Sequence, residues 1–186
     1  MQAPRAFDPQ VLMRAREVRL VFLDVDGVLT DGGLYFSEQG ETLKRFNSLD
    51  GQGLKYLMSV GVMPAVITGR DSAPLRVRLA ALGISEAHFG VHDKLTVARQ
   101  ILKKTGLGFE QAAAMGDDWP DLPVMQHCAL AAAPAQAHAE VTAQSHWVSS
   151  RMGGHGAVRE LCDLILVAQG HYDRILRELT SYGVDH

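Results

Sequence analysis

Leu20–Val21–Phe22–Leu23–Asp24–Val25–Asp26–Gly27–Val28–Leu29–Thr30–Asp31–Gly32 decides how this chain folds. An apolar run ending in Asp-x-Asp-Gly predicts a buried strand that delivers two carboxylates to a tight turn at its C-terminal end. Two such carboxylates repel each other, and burial sharpens the repulsion. The pair is tolerable where a cation joins it or one member keeps a proton. Both conditions suit phosphoryl transfer, in which one Asp attacks phosphorus and the other moves a proton beside Mg²⁺. Standing alone, the motif would read better as a solvated acidic turn.

Three further segments stand with it. Val66–Ile67–Thr68–Gly69–Arg70 is a second apolar run ending in a hydroxyl and a glycine. A Thr hydroxyl and free backbone N–H groups at a strand-to-helix turn can hold a phosphate oxygen. Lys94 opens a helical pattern, where it supplies positive charge or is an ordinary solvated side chain. Met115–Gly116–Asp117–Asp118–Trp119–Pro120–Asp121 follows the apolar Ala112–Ala113–Ala114 and makes a third acidic strand end.

In this order and spacing the four motifs resemble the haloacid dehalogenase superfamily of phosphatases, over about residues 19–170. The resemblance implies that Asp24 is the nucleophile of an aspartyl-phosphate intermediate and Asp26 the general acid and then base. It implies Mg²⁺ held by the Asp24 carboxylate, the Asp26 backbone carbonyl and Asp117. Thr68 and the Gly69 N–H would hold the transferring phosphoryl group, with Lys94 supplying charge. Asp118 and Asp121 would act behind the metal ligands or complete the metal site. Otherwise they are acids favoured by a helix N-terminus.

Composition sets bounds on all of this. The chain has 186 residues with 47% hydrophobic content, enough for one domain spanning 1–186 with a sizeable core. A net charge of -3 with scattered basic residues leaves no footprint for nucleic acid. Cys128 and Cys162 lack metal-ligand spacing and read as buried reduced thiols. No secretory leader or membrane-length apolar run is evident, so a cytoplasmic protein without membrane partners is expected.

Along the chain, Asp8 caps a short helix to Glu17 with Pro9 in its first turn. A strand over Arg19–Asp24 follows. Leu34–Tyr35–Phe36 and Glu41–Phe46 flank a polar turn with Gly40 and predict a β-hairpin. Helix from Asp50, strand Val62–Thr68, helix from Ser72 to Gly83 and helix Lys94–Lys104 come next. Strand Ala112–Gly116, a helix near Leu122–His127, strand Ala129–Ala132 and an Ala-rich helix from about Ala135 then alternate. A last strand at His146–Val148 and helix Ala157–Gln169 close the core, with a helical extension over 171–186. The fold class expected is α/β: a three-layer, doubly wound parallel sheet with a β-hairpin insertion.

No stretch is left for an inserted cap domain. A phosphate site needs water excluded, so a capless domain acts on a large substrate or borrows its lid from another subunit. Lys44–Arg45–Phe46–Asn47, Asp50–Gly51, Asp121–Leu122–Pro123–Val124–Met125 and Gly153–Gly154–His155–Gly156–Ala157–Val158–Arg159–Glu160 add a narrower likeness. With the first motif, they resemble the capless family of 3-deoxy-D-manno-octulosonate 8-phosphate phosphatases. That resemblance implies a sugar-phosphate substrate in lipopolysaccharide biosynthesis. It also implies a homotetramer whose hairpins and tails complete neighbouring active sites.

Thr30, Arg70 and Arg78 are further candidates for the substrate, since Arg can bind carboxylate or phosphate bidentately. The two arginines read otherwise as a solvated helix face. His155 stands where the family usually has Arg or Lys and carries only partial charge near neutral pH. The glycines around it predict a mobile segment that reaches a neighbour's site. Two other functions stand beside this one. A phosphatase of a nine-carbon, sialic-acid-type 9-phosphate is a close alternative that the sequence does little to separate from it; a non-catalytic oligomerisation module fits less well, since it would not need the full acidic set.

Overall fold

The computed structural model describes residues 7–181. Its frame is a six-stranded parallel sheet made of β1 (Leu20–Leu23), β4 (Met63–Ile67), β5 (Ala87–His88), β6 (Ala112–Met115), β7 (Leu130–Ala133) and β8 (Trp147–Val148). Two strands outside it, β2 (Tyr35–Ser37) and β3 (Gly40–Leu43), form an antiparallel hairpin. The sheet order is β5-β4-β1-β6-β7-β8. The order therefore reverses at β1, which pairs with β4 on one side and β6 on the other. Ligands in such sheets bind where the order reverses, beyond the strand C-termini.

β1 is buried along its whole length, and its side chains alternate between the two faces. Val21 and Leu23 join a core beneath α1 (Pro9–Ala15), α2 (Ser48–Ser59), α3 (Ala73–Leu82) and α7 (Ala157–Ala168). Leu20 and Phe22 join the core beneath α4 (Lys94–Thr105), α5 (Leu122–Met125) and α6 (Ala139–Gln144). Leu54, Leu57, Leu161 and Ile165 are fully buried where α2 packs on α7. Each such side chain stabilises the fold by about 1.5–3 kcal/mol. The layered α/β class expected from the sequence is what forms, and only the hairpin and α2 lie between β1 and β4.

Asp8 caps α1 through a bond from the Gln10 N–H, with Pro9 at the first position. Cys128 and Cys162 are buried free thiols. α8 (Tyr172–Ser181) packs on α7, and residues 182–186 of the expected extension lie outside the described residues. Among the described residues no helix is long and apolar enough to cross a membrane.

Two expectations need correction. The Ala-rich helix starts at Ala139 rather than near Ala135, with His138 as its cap. The Ala135 N–H is drawn away to the Arg151 carbonyl, and Ala137 closes a turn on Pro134, so the first residues cannot join the helix. The hairpin strand expected over Glu41–Phe46 ends at Leu43, and Phe46 packs against the core, where it makes an isolated bridge with Thr30.

Candidate active site

Three strand ends converge on one cleft. The Asp24 N–H donates to Met115 O at 3.2 Å, which carries the β1–β6 ladder one step past the strand. At the end of β4 the Thr68 N–H donates to His88 O at 3.0 Å, and its own carbonyl accepts from Val91 N–H at 2.9 Å. Asp93 caps α4 through the Thr96 N–H, which fixes Lys94 at the first helical position. The cleft, about 310 Å³, is lined by Asp24, Asp26, Thr68, Gly69, Arg70, His92, Lys94, Asp117, Asp118 and Asp121 among others.

At its floor Lys94 Nζ lies 2.6 Å from Asp24 Oδ1 and 2.6 Å from Asp121 Oδ1. Asp121 Oδ2 accepts from the Asp117 and Asp118 N–H groups at 3.1 and 3.3 Å. Asp121 is thereby committed at both oxygens, to the lysine and to the turn that presents Asp117. Asp118 accepts from the Trp119 N–H at 2.9 Å and holds the same turn from outside. Asp117 approaches the first loop so closely that a Cβ on Gly27 would sit 2.0 Å from Asp117 Oδ2. With φ at +89° as well, position 27 admits only glycine without distortion.

Oxygens of Asp24, Asp117 and Asp121 all fall within 4.8 Å of one another. Burial, then the Asp121 charge, lifts Asp24 to about 6 despite Lys94 beside it. Burial, then the charges of Asp24, Asp121 and Asp118, lifts Asp117 to about 7. Burial works to lower the Lys94 pKa, but the Asp121 and Asp24 carboxylates outweigh it and the net shift is upward. Three carboxylates face one ammonium, and every donor is a hard oxygen. This donor set and its uncompensated charge fit a divalent cation such as Mg²⁺.

The structure brings Asp24, Asp26, Thr68, Gly69, Arg70, Lys94, Asp117, Asp118 and Asp121 together and leaves three expected residues outside that cleft. Thr30 is buried; its Oγ1 donates to Val25 O and accepts from the Gly27 and Gly32 N–H groups, bracing the first loop. Arg78 donates to Asn47 O at 3.3 Å, away from the acidic cluster. His155 is exposed, 3.2 Å from Arg45 Nη1.

The family model described as haloacid dehalogenase-like hydrolase matches residues 83–161. The chain is 42% identical over 165 residues to the 3-deoxy-D-manno-octulosonate 8-phosphate phosphatase KdsC of Salmonella typhimurium, covering 89% of this chain and 88% of that one. It belongs to the 3-deoxy-D-manno-octulosonate 8-phosphate phosphatase family. A crystal structure of that phosphatase from Yersinia pestis superposes with a TM-score of 0.87 at 42% identity, covering 89% of each chain. Another, from Moraxella catarrhalis in complex with a magnesium ion, a phosphate ion and a KDO molecule, gives 0.90 at 35% identity, covering 93% of this chain and 99% of that one.

Within this phosphatase fold the Gly153–Gly154 segment differs from its expectation. It is buried against the first loop of its own chain rather than free. The Gly154 N–H donates to Val28 O at 3.1 Å, and its carbonyl accepts from Arg45 and Asn47. Gln136 ties the two loops, donating to Gly27 O at 2.7 Å and accepting from the Gly153 N–H at 2.8 Å. Sequence reasoning gave no role to Gln136 or to Lys44, whose ammonium reaches Asp26. Lys44 stands in the Lys44–Arg45–Phe46–Asn47 stretch that carries the family likeness, but nothing local points it at Asp26.

Proposed function

We propose that the cleft hydrolyses 3-deoxy-D-manno-octulosonate 8-phosphate to the free sugar acid and inorganic phosphate, with Mg²⁺ as cofactor. The observation that carries this reading is the gathering of Asp24, Asp117 and Asp121 around Lys94 at the sheet's reversal point. Mg²⁺, held by the Asp24 carboxylate, the Asp26 backbone carbonyl and Asp117, supplies the positive charge that lets a carboxylate approach a phosphate dianion.

Lys94 holds Asp24 by Oδ1 and leaves Oδ2 to attack phosphorus. As that O–P bond forms, the bond from phosphorus to the sugar oxygen breaks, and Asp26 gives its proton to the leaving oxygen. A water then loses a proton to Asp26 and attacks phosphorus, which frees phosphate and restores the Asp24 carboxylate. The Thr68 hydroxyl and the Gly69 N–H steady the phosphoryl oxygens, and Lys94 offsets their charge. Asp118 and Asp121 serve by holding the turn and the lysine.

The cleft is open, and the hairpin above it exposes Leu34, Tyr35, Phe36 and Leu43. A homotetramer in the cytoplasm, joined through these hairpins, would close each cleft and feed lipopolysaccharide synthesis. In that assembly His155 reaches the sugar acid bound to a neighbour, while Arg78 is engaged by the Asn47 carbonyl of its own chain. The test is relative turnover on the eight-carbon acid 8-phosphate and a nine-carbon, sialic-acid-type 9-phosphate. We expect kcat/KM to favour the former by at least about tenfold; faster turnover of the nine-carbon ester would overturn the assignment.

A further inference from the structure

The second carboxylate of the first motif is gripped by the hairpin. Lys44, just past β3, has a side chain with no exposed surface. Its Nζ lies 2.5 Å from Asp26 Oδ1 and 2.5 Å from Glu41 Oε1. Lysine is almost never fully buried unless paired, because taking an ammonium out of water is costly. Here two carboxylates hold it. Lys44 does not line the cleft, so it is not placed to meet the phosphate itself.

The two oxygens of Asp26 are therefore unlike. Oδ1 is engaged by Lys44, while Oδ2 has Arg70 Nε at 3.8 Å, beyond hydrogen-bonding distance. The χ2 torsion of aspartate is broad, so a carboxylate without such a partner would swing. Proton transfer to a leaving oxygen needs the donor at hydrogen-bond distance. A misplacement near 1 Å costs about 10²-fold.

We propose that Lys44 is a positioning residue for the acid step. It locks Asp26 through Oδ1, so that Oδ2 gives its proton to the sugar oxygen while the bond from that oxygen to phosphorus breaks. Oδ2 later takes a proton from the attacking water. Glu41 balances the charge of the buried ammonium as an ion-pair partner, while the hydrogen bond of Lys44 goes to Asp26. The bridge between Thr30 and Phe46 seats the base of the hairpin against the loop that carries Asp26. The proposal rests on the phosphatase reading above.

The test compares a sugar phosphate, whose alkoxide must be protonated as it leaves, with p-nitrophenyl phosphate, whose leaving group departs as a stable anion. Lys44→Met is expected to lower kcat on the sugar phosphate by about 10²-fold while KM stays within about twofold. On the nitrophenyl ester, the single-turnover rate of nitrophenolate release, which reports the first step alone, should fall by less than about threefold, because no acid is needed there. In an Asp26→Asn background Lys44→Met should cost nothing further, since both changes remove one function. Lys44→Met leaves Glu41 buried without its cation, so Lys44→Met/Glu41→Gln is a second variant with the same expected selectivity. A loss in nitrophenolate release equal to the loss in sugar-phosphate turnover, or a rise in KM with kcat unchanged, would overturn the proposal. Wild-type protein inactive on the sugar phosphate would instead overturn the phosphatase reading.

Discussion

Asp24 and Asp117 are held near 6 and near 7 by burial and by their acidic neighbours, against 3.8 for a free aspartate. Between about pH 4 and pH 7 the folded chain therefore keeps protons that the unfolded chain has released, and metal-free stability falls as the pH rises through that window. Mg²⁺ needs both carboxylates ionised, so its stabilising effect should be large at about pH 7.5 and nearly absent at about pH 5. Thermal melts with and without Mg²⁺ at the two pH values check this; an equal rise in Tm at both would contradict it. Asp26→Asn should keep Mg²⁺ binding, because the expected ligand is its backbone carbonyl, while turnover falls about 10²–10⁴-fold. Calorimetric titration with Mg²⁺ beside a phosphate-release assay separates the two effects. Near-normal rates would show that Asp26 is not the acid. The residues at strand ends were legible in the sequence because an apolar run followed by an acid or hydroxyl states both place and chemistry. Lys44 was not, since its partner Asp26 is 18 residues away and only the hairpin fold brings them together.

At the scale of elements, the sheet and most helices follow from apolar runs punctuated by Gly, Pro and caps. The Gly153–Gly154 segment was harder to read, because glycine permits both mobility and close approach and the sequence does not say which. The structure answers with approach: a Cβ on Gly153 would lie 1.8 Å from the Gly27 carbonyl oxygen, and one on Gly154 would lie 2.5 Å from the Asp31 nitrogen. Gly153→Ala must therefore push the first loop, which carries Asp26 and abuts Asp117. We expect a loss of about 1–3 kcal/mol in stability, the usual cost of overpacking. Denaturant unfolding measures it, and turnover should fall with it on large and small phosphate esters alike. Wild-type stability in this variant would mean that the contact between the loops is slack. The start of α6 was misread for a related reason. Alanine favours helix anywhere, but the Ala135 N–H is bound to Arg151, a partner no local pattern reveals.

For the whole molecule, the hairpin leaves Leu34, Tyr35, Phe36 and Leu43 between 43% and 62% exposed on one small insertion. Exposed apolar surface of that kind marks an interaction site, and closed symmetry is the usual outcome for identical chains. Light scattering should give one species of roughly four chains. Phe36→Glu with Leu43→Glu should yield smaller species with lower turnover; a fully active wild-type monomer would remove the hairpin from the account. The central claim, that Asp24 in this cleft dephosphorylates an acidic sugar phosphate with Mg²⁺, is tested most directly by phosphate release from 3-deoxy-D-manno-octulosonate 8-phosphate. Wild-type protein should turn over with Mg²⁺ and stop with chelator, and Asp24→Asn should be inactive with Mg²⁺ present. Turnover that persists in chelator, or in Asp24→Asn, would contradict it.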